Sequence, residues 1–310
     1  MAQPVSNSLA KSRGGGKPQT FSAFLTSDAI VKRINSMVGG KDGQRFITSI
    51  ISAVSTNPAL SECEHSTILS AAMLGESLKL SPSPQLGQYY MVPFNDKKRG
   101  TKVAQFQLGY KGYIQLAIRS GYYKKLNVLA IKAGELKRYD PLNEEIEVEL
   151  IEDDMEREAA QTIGYYAMFE YNNGFRKTLY WSREKMMAHA DKYSMAFNAK
   201  KYQDLLDGKI PQSDMWKYSS FWYKDFDGMA YKTMLRQLIS KWGIMSIDMQ
   251  KAMDGDMGTI NEDGSVDYVD NVADEYHPAE PAPVEVDQST GEIIDVTPAD
   301  EDPTAEFFNN

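Results

Sequence analysis

One cysteine, Cys63, stands in a chain of 310 residues, so no disulfide can close within it, and a reducing, cytoplasmic compartment is expected. The three histidines, His65, His189 and His277, are scattered without metal-ligand spacing, and no metal ligand is assigned. No apolar run approaches the length of a membrane-spanning helix, and the polar N-terminus lacks a signal-peptide core. A phosphate-cradling loop is missing too. Lys17 follows glycines but precedes Pro18, and Lys11 stands where the first glycine of such a loop belongs; Gly40-Lys41-Asp42 fails in the same way. No nucleotide cofactor is therefore expected. Helix-turn-helix and zinc-finger patterns are also absent, which argues against sequence-specific DNA reading.

The last absence is local: no Lys or Arg follows Lys251, whereas seventeen Asp and Glu do. The net charge of −9 therefore misleads. Before that point all 34 cations face 26 acids, and between Lys79 and Arg138 twelve cations face only Asp96 and Glu135. Such segregation marks a cationic patch suited to phosphates, followed by an acidic tail.

What is present reads as an α+β core, from 28 to 251, between a flexible arm (residues 1–27) and a disordered acidic tail (252–310). Helical periodicity starts at Ser27 or Asp28, with Ile30, Ile34 and Met37 on one face. A second helix carries Phe46, Ile47, Ile50, Ile51 and Val54 up to the break at Pro58, and a third runs from Ser66 to Lys79. A strand is expected over Leu126–Ile131. Two more, Gln161–Tyr171 and Phe175–Trp181, are joined by Asn172-Asn173-Gly174, and Ser182 caps the helix that follows. The stretch Asn198–Lys209 reads as a connector. From Glu144 to Glu158 nine acids meet one base, a density that raises the alternative of a metal-dependent nuclease. Glu145, Glu147 and Glu149 alternate with Ile146, Val148 and Leu150, however, and a strand with one solvated face accounts for that more simply.

The organising stretch is Leu86–Gly121. Two alternating strands flank a loop with Lys97, Lys98, Arg99 and Lys102, and Gly100 suits a turn of positive φ. A long hairpin with a cationic tip is expected. Gly109 and Gly112 then bracket Tyr110 and Lys111, where glycine lets backbone approach closely, and a short helix with Tyr113 and Arg119 ends at Gly121. A second informative stretch, Met215–Trp242, interleaves Lys232, Arg236 and Lys241 with aromatic residues. Most of these aromatics are expected in the core.

Leu86-Gly87, Val92-Pro93-Phe94-Asn95, Gln107-Leu108-Gly109-Tyr110-Lys111-Gly112 and Ala117-Ile118-Arg119-Ser120-Gly121 together resemble the signature block of the RecT family of phage-type single-strand annealing proteins. Met229, Lys232-Thr233, Arg236, Leu238 and Lys241 resemble its second block. The resemblance implies a small antiparallel sheet with a long hairpin packed on helices, and a recombinase that pairs DNA strands without ATP. It further implies single-stranded DNA and the annealed duplex intermediate as ligands, self-assembly into rings or helical filaments, and a partner exonuclease. DNA contacts are expected from Lys97, Lys98, Arg99, Lys102, Lys111, Arg119, Lys232, Arg236 and Lys241, with Tyr110 and Tyr113 stacking on bases. No catalytic residue is assigned. A short island, Thr290–Val296, could recruit a host single-strand-binding protein or the exonuclease, and the acidic tail could mimic DNA in the groove.

Overall fold

A computed structural model describes residues 20–194 and 196–268, and beyond them only the strands Glu285–Val286 and Ile293–Ile294. The described chain opens on helices α1 (Phe21–Leu25), α2 (Asp28–Val38), α3 (Gly40–Thr56) and α4 (His65–Ser77). Pro58, which has no N–H to donate, ends α3 and starts a single 3-10 turn. Phe21 and Leu25 are buried, so the fold begins ahead of the expected boundary at 28.

Strands β1 (Tyr89–Asp96) and β2 (Thr101–Leu108) form the expected hairpin, with Tyr89 opposite Leu108 and Asp96 opposite Thr101. Strand β2 is covered on both faces and on its outer edge. Ala104 N donates to Thr67 Oγ1 of α4 (2.9 Å), Phe106 N donates to Gly258 O (2.9 Å), and Met257 N donates to Phe106 O (2.9 Å). Helix α5 (Tyr110–Ser120) follows directly and closes at Gly121, whose φ of +75° places it in the left-handed region.

Next come β3 (Tyr123–Lys132), the small hairpin β4 (Leu136–Asp140) and β5 (Glu145–Val148), helix α6 (Asp154–Ala159), then β6 (Thr162–Tyr171) and β7 (Arg176–Ser182). Three of these strands make an antiparallel sheet in the order β3-β6-β7. The acidic stretch from Glu144 divides between a strand and a helix. β5 alternates as expected, and Asp153 then caps α6 through Glu156 N (2.8 Å).

Helices α7 (Arg183–Tyr193), α8 (Ala199–Leu206), α9 (Phe221–Lys224), α10 (Phe226–Trp242) and α11 (Ile247–Gly255) complete the fold with β8 (Thr259–Ile260) and β9 (Val266–Asp267). Two expectations are corrected here. The connector at 198–209 contains a helix, α8, whose Tyr202 stacks on Phe226 at 5.1 Å inside the core. The core also runs past Lys251: Ala252 and Ile260 are core residues, and Asp256 is fully buried. Asn271–Asn310 forms a separate unit in which Glu285–Val286 (β10) pairs antiparallel with Ile293–Ile294 (β11). The expected disorder of the arm and of the rest of the tail concerns residues outside those described.

The first core gathers α1–α4, the β1–β2 hairpin and the inner face of α5; the second gathers the three-stranded sheet with α7, α8 and α9. Helix α10 belongs to both. Leu235 and Ile239 enter the first core, and Ala230, Met234 and Leu238 enter the second. Within each set the spacing of four residues makes one stripe on the helix. The α+β expectation, a small antiparallel sheet and a hairpin packed on helices, is borne out.

Candidate nucleic-acid interface

At the hairpin tip, Asp96 Oδ1 accepts from Lys98 N (2.8 Å) and Arg99 N (3.1 Å), which fixes the turn before Gly100, at φ +65°. Lys97 and Lys98 project into solvent. Arg99 does not. Its guanidinium reaches Asp96 (3.3 Å), Asp267 (2.5 Å), Asn261 (2.6 Å) and Glu64 (3.9 Å). Lys102 is ion-paired with Glu62. Two of the four expected tip cations are thus held by the chain itself.

At the other end of the hairpin the chain turns into α5. A Cβ on Gly109 would lie 2.1 Å from Gly87 O, and one on Gly112 would lie 2.1 Å from Gln88 O. The backbone that needs these glycines is therefore the protein's own. Around this junction four rings from three segments meet. Tyr90 packs on Phe221 (5.2 Å), Tyr110 meets Tyr231 edge-on (5.6 Å), and Tyr90 borders Gly109. Lys111 is exposed, with its methylenes against Gly87 and its ammonium 5.9 Å from the Tyr110 ring centre. The result is a partly open aromatic shelf with a cation on its rim. Tyr110 and Lys111 were legible from their motif. Tyr90 read only as a strand residue, and Phe221 and Tyr231 as core, because no local pattern ties 90 to 221.

Several of the expected contact residues are buried or have partners within the chain. The Tyr113 ring is fully buried between α5 and the first core, so it has no face for a base, and burial pushes its hydroxyl pKa up. Arg119 turns back and donates to Leu78 O (2.6 Å), satisfying a carbonyl left open at the end of α4. Lys232 is 7% exposed and bonds Asp256 Oδ1 at 2.7 Å, and Arg236 reaches Oδ2 at 3.1 Å. Asp256 Oδ1 also accepts from Leu108 N (2.9 Å). Burial pulls the Lys232 pKa down, while the Asp256 charge works against that shift. These two α10 cations thus serve an internal carboxylate supplied by the segment read as tail. Lys241, in the last turn of α10, is exposed.

The shelf and the hairpin tip are not one local groove. Seven residue steps of strand separate them, roughly 23 Å. A ligand touching both would have to be elongated. As for the acidic stretch, Glu144 pairs with Lys177 and Glu149 with Lys137 (3.2 Å). Among the described residues no three His, Cys, Asp or Glu side chains are grouped to hold a metal ion, and no helix is long and apolar enough to cross a membrane.

Comparison with known proteins places this geometry. The sequence profile of the RecT family matches residues 44–268, ending where the described core ends. The uncharacterized protein YqaK of Bacillus subtilis (strain 168) is 35% identical over 308 residues, covering 97% of this chain and 89% of that protein. Protein RecT of Escherichia coli (strain K12) is 28% identical over 216 residues, 69% of this chain and 71% of that one. Since the match takes in the hairpin, the glycine junction, α10 and Asp256, the chain belongs to the RecT family, a family of DNA-annealing proteins.

Proposed function

We propose that this protein is an ATP-independent recombinase of phage or prophage type, which binds single-stranded DNA on its cationic face and pairs complementary strands. Family membership supports the role in annealing and recombination. The observation that carries the finer reading is the shelf: Tyr90, Tyr110, Phe221 and Tyr231 around an exposed Lys111. Rings take any base and a lysine takes any phosphate, so the combination favours single strands without reading sequence. The exposed Lys97, Lys98 and Lys241 extend the positive field along which an elongated strand would lie.

Pairing is already downhill by roughly 1.4 kcal/mol per stacked step, so about ten matched bases release on the order of 14 kcal/mol. The barrier lies in phosphate repulsion and in folding of each strand on itself. A surface that neutralises phosphates and holds the strand extended lowers both, with no nucleotide hydrolysis. Self-assembly, a cytoplasmic setting, a partner exonuclease and a host single-strand-binding protein complete the proposal.

The test is the pairing rate of two complementary, dye-labelled oligonucleotides with the protein in EDTA and without nucleotide, followed by a gel of strand lengths. Strong acceleration with full-length strands is expected. Strands that bind but pair no faster would sink the annealing reading in favour of simple packaging, and shortened strands would indicate a nuclease.

A further inference from the structure

Beside the shelf lies a groove that none of the expected DNA contacts enters. Helix α5 presents Tyr110, Ile114 and Ile118 at intervals of four, one stripe on its outer side. Tyr110 belongs to the shelf, whereas Ile114 and Ile118 line a groove of about 500 Å³ whose other wall is β3 and β6. β3 is an edge strand of its sheet. Ile118 is 60% exposed, a large apolar side chain presented to solvent within the groove. Tyr166 and Met168 of β6 face the same space, and Lys124 and Lys125 stand at its rim.

Both lysines share one carboxylate. Lys124 Nζ lies 2.6 Å and Lys125 Nζ 3.7 Å from the two oxygens of Glu170. Two cations on one anion leave a positive charge over. The groove therefore couples an apolar and aromatic floor to a cationic rim. That chemistry suits a flat, apolar base carried on a phosphate. The volume lies within the range of ligand sites of nucleotide size.

We propose that this groove continues the path of the single strand: nucleotides leaving the Tyr110 shelf run along α5, with bases against Ile114, Ile118 and Tyr166 and phosphates on Lys124 and Lys125. The inference rests on the annealing reading and extends it. From Tyr110 to Ile118 the helix rises about 12 Å, so the shelf and the groove are neighbouring segments of one track. Glu170 holds the lysines in place until phosphates compete for them.

The experiment is fluorescence anisotropy of dye-labelled oligodeoxythymidine, which forms no hairpins, with the full-length protein across a salt series. A Lys124→Gln/Lys125→Gln double variant is expected to reduce the salt slope of binding by about 1.4, the share of two phosphate contacts on a single strand. Ile118→Ser is expected to weaken binding by about four-fold or more at an unchanged slope, the worth of at least one methylene kept from water. All three side chains are exposed, and thermal melts check that the variants fold. If both variants bind as the unsubstituted protein does, while Lys111→Gln weakens binding, the groove is off the path and the annealing reading stands. If the unsubstituted protein does not bind the oligonucleotide, both fall.

Discussion

A carboxylate with no exposed surface must be surrounded by donors, and Asp256 is, by Lys232, Arg236 and the amide of Leu108. Removing one partner of such a buried pair leaves the other charged and unmatched. Asp256→Ala is therefore expected to lower the unfolding free energy by about 3–5 kcal/mol in urea titration. Lys111 and Arg119, both exposed cations of α5, should separate cleanly. Lys111→Gln should cost one phosphate contact, reducing the salt slope by about 0.7 with little change in stability. Arg119→Gln loses its bond to Leu78 O instead, and should cost about 1 kcal/mol in urea with the slope intact. Cys63 offers a test by pH. Burial, the largest cause, pushes its thiol from 9.0 to about 11. Below the unfolded value both states keep the proton; between pH 9 and 11 only the unfolded chain loses it, so stability falls as pH rises through that window. Cys63→Ala should flatten the fall, as seen in urea midpoints at pH 8 and 10.5.

Among elements, the junction of β2 and α5 is the tightest. Gly112→Ala puts a methyl group 2.1 Å from Gln88 O, where backbone must move to make room. A loss of about 1–3 kcal/mol or more is expected, together with weaker single-strand binding, because Gly87 and Lys111 move with that backbone. This junction was legible: close glycines beside an aromatic and a cation announce a close approach, although not which backbone approaches. The hairpin, the Asn-Gly turn and α10 were legible for the same kind of reason, long periodic runs with clear stops. α8 was not. It has eight residues and one buried side chain, Tyr202, so there is too little pattern to separate it from a loop. α6, β8 and β9 were hidden differently. Carboxylates dominate the sequence around them, and charge density reads as solvation although some of that charge, Asp256 above all, is structural. The shelf rings Tyr90 and Phe221 meet only through the tertiary fold, a relation that no local spacing encodes.

For the whole molecule, α10 is the element on which both cores close, and its Lys232 and Arg236 meet Asp256, a residue beyond Lys251. Ending the chain after Lys251 should therefore abolish the cooperative thermal transition in circular dichroism. It removes Ala252 and Ile260 from the first core and strands Lys232 without its carboxylate. A chain ended after Tyr268 keeps all of these and should melt as the full protein does. Any effect of the acidic tail on DNA binding has to be measured with the second truncation. Asp256 also follows Lys232 by 24 residues, which at ribosomal speed is about one to five seconds of synthesis. Until Asp256 is made, Lys232 lacks the carboxylate that offsets the cost of burying it, which disfavours docking of α10 against α5. The surface proposed to hold DNA is thus finished only when nearly the whole core has been made. A chain cut short before Asp256 is expected to leave that surface unfinished.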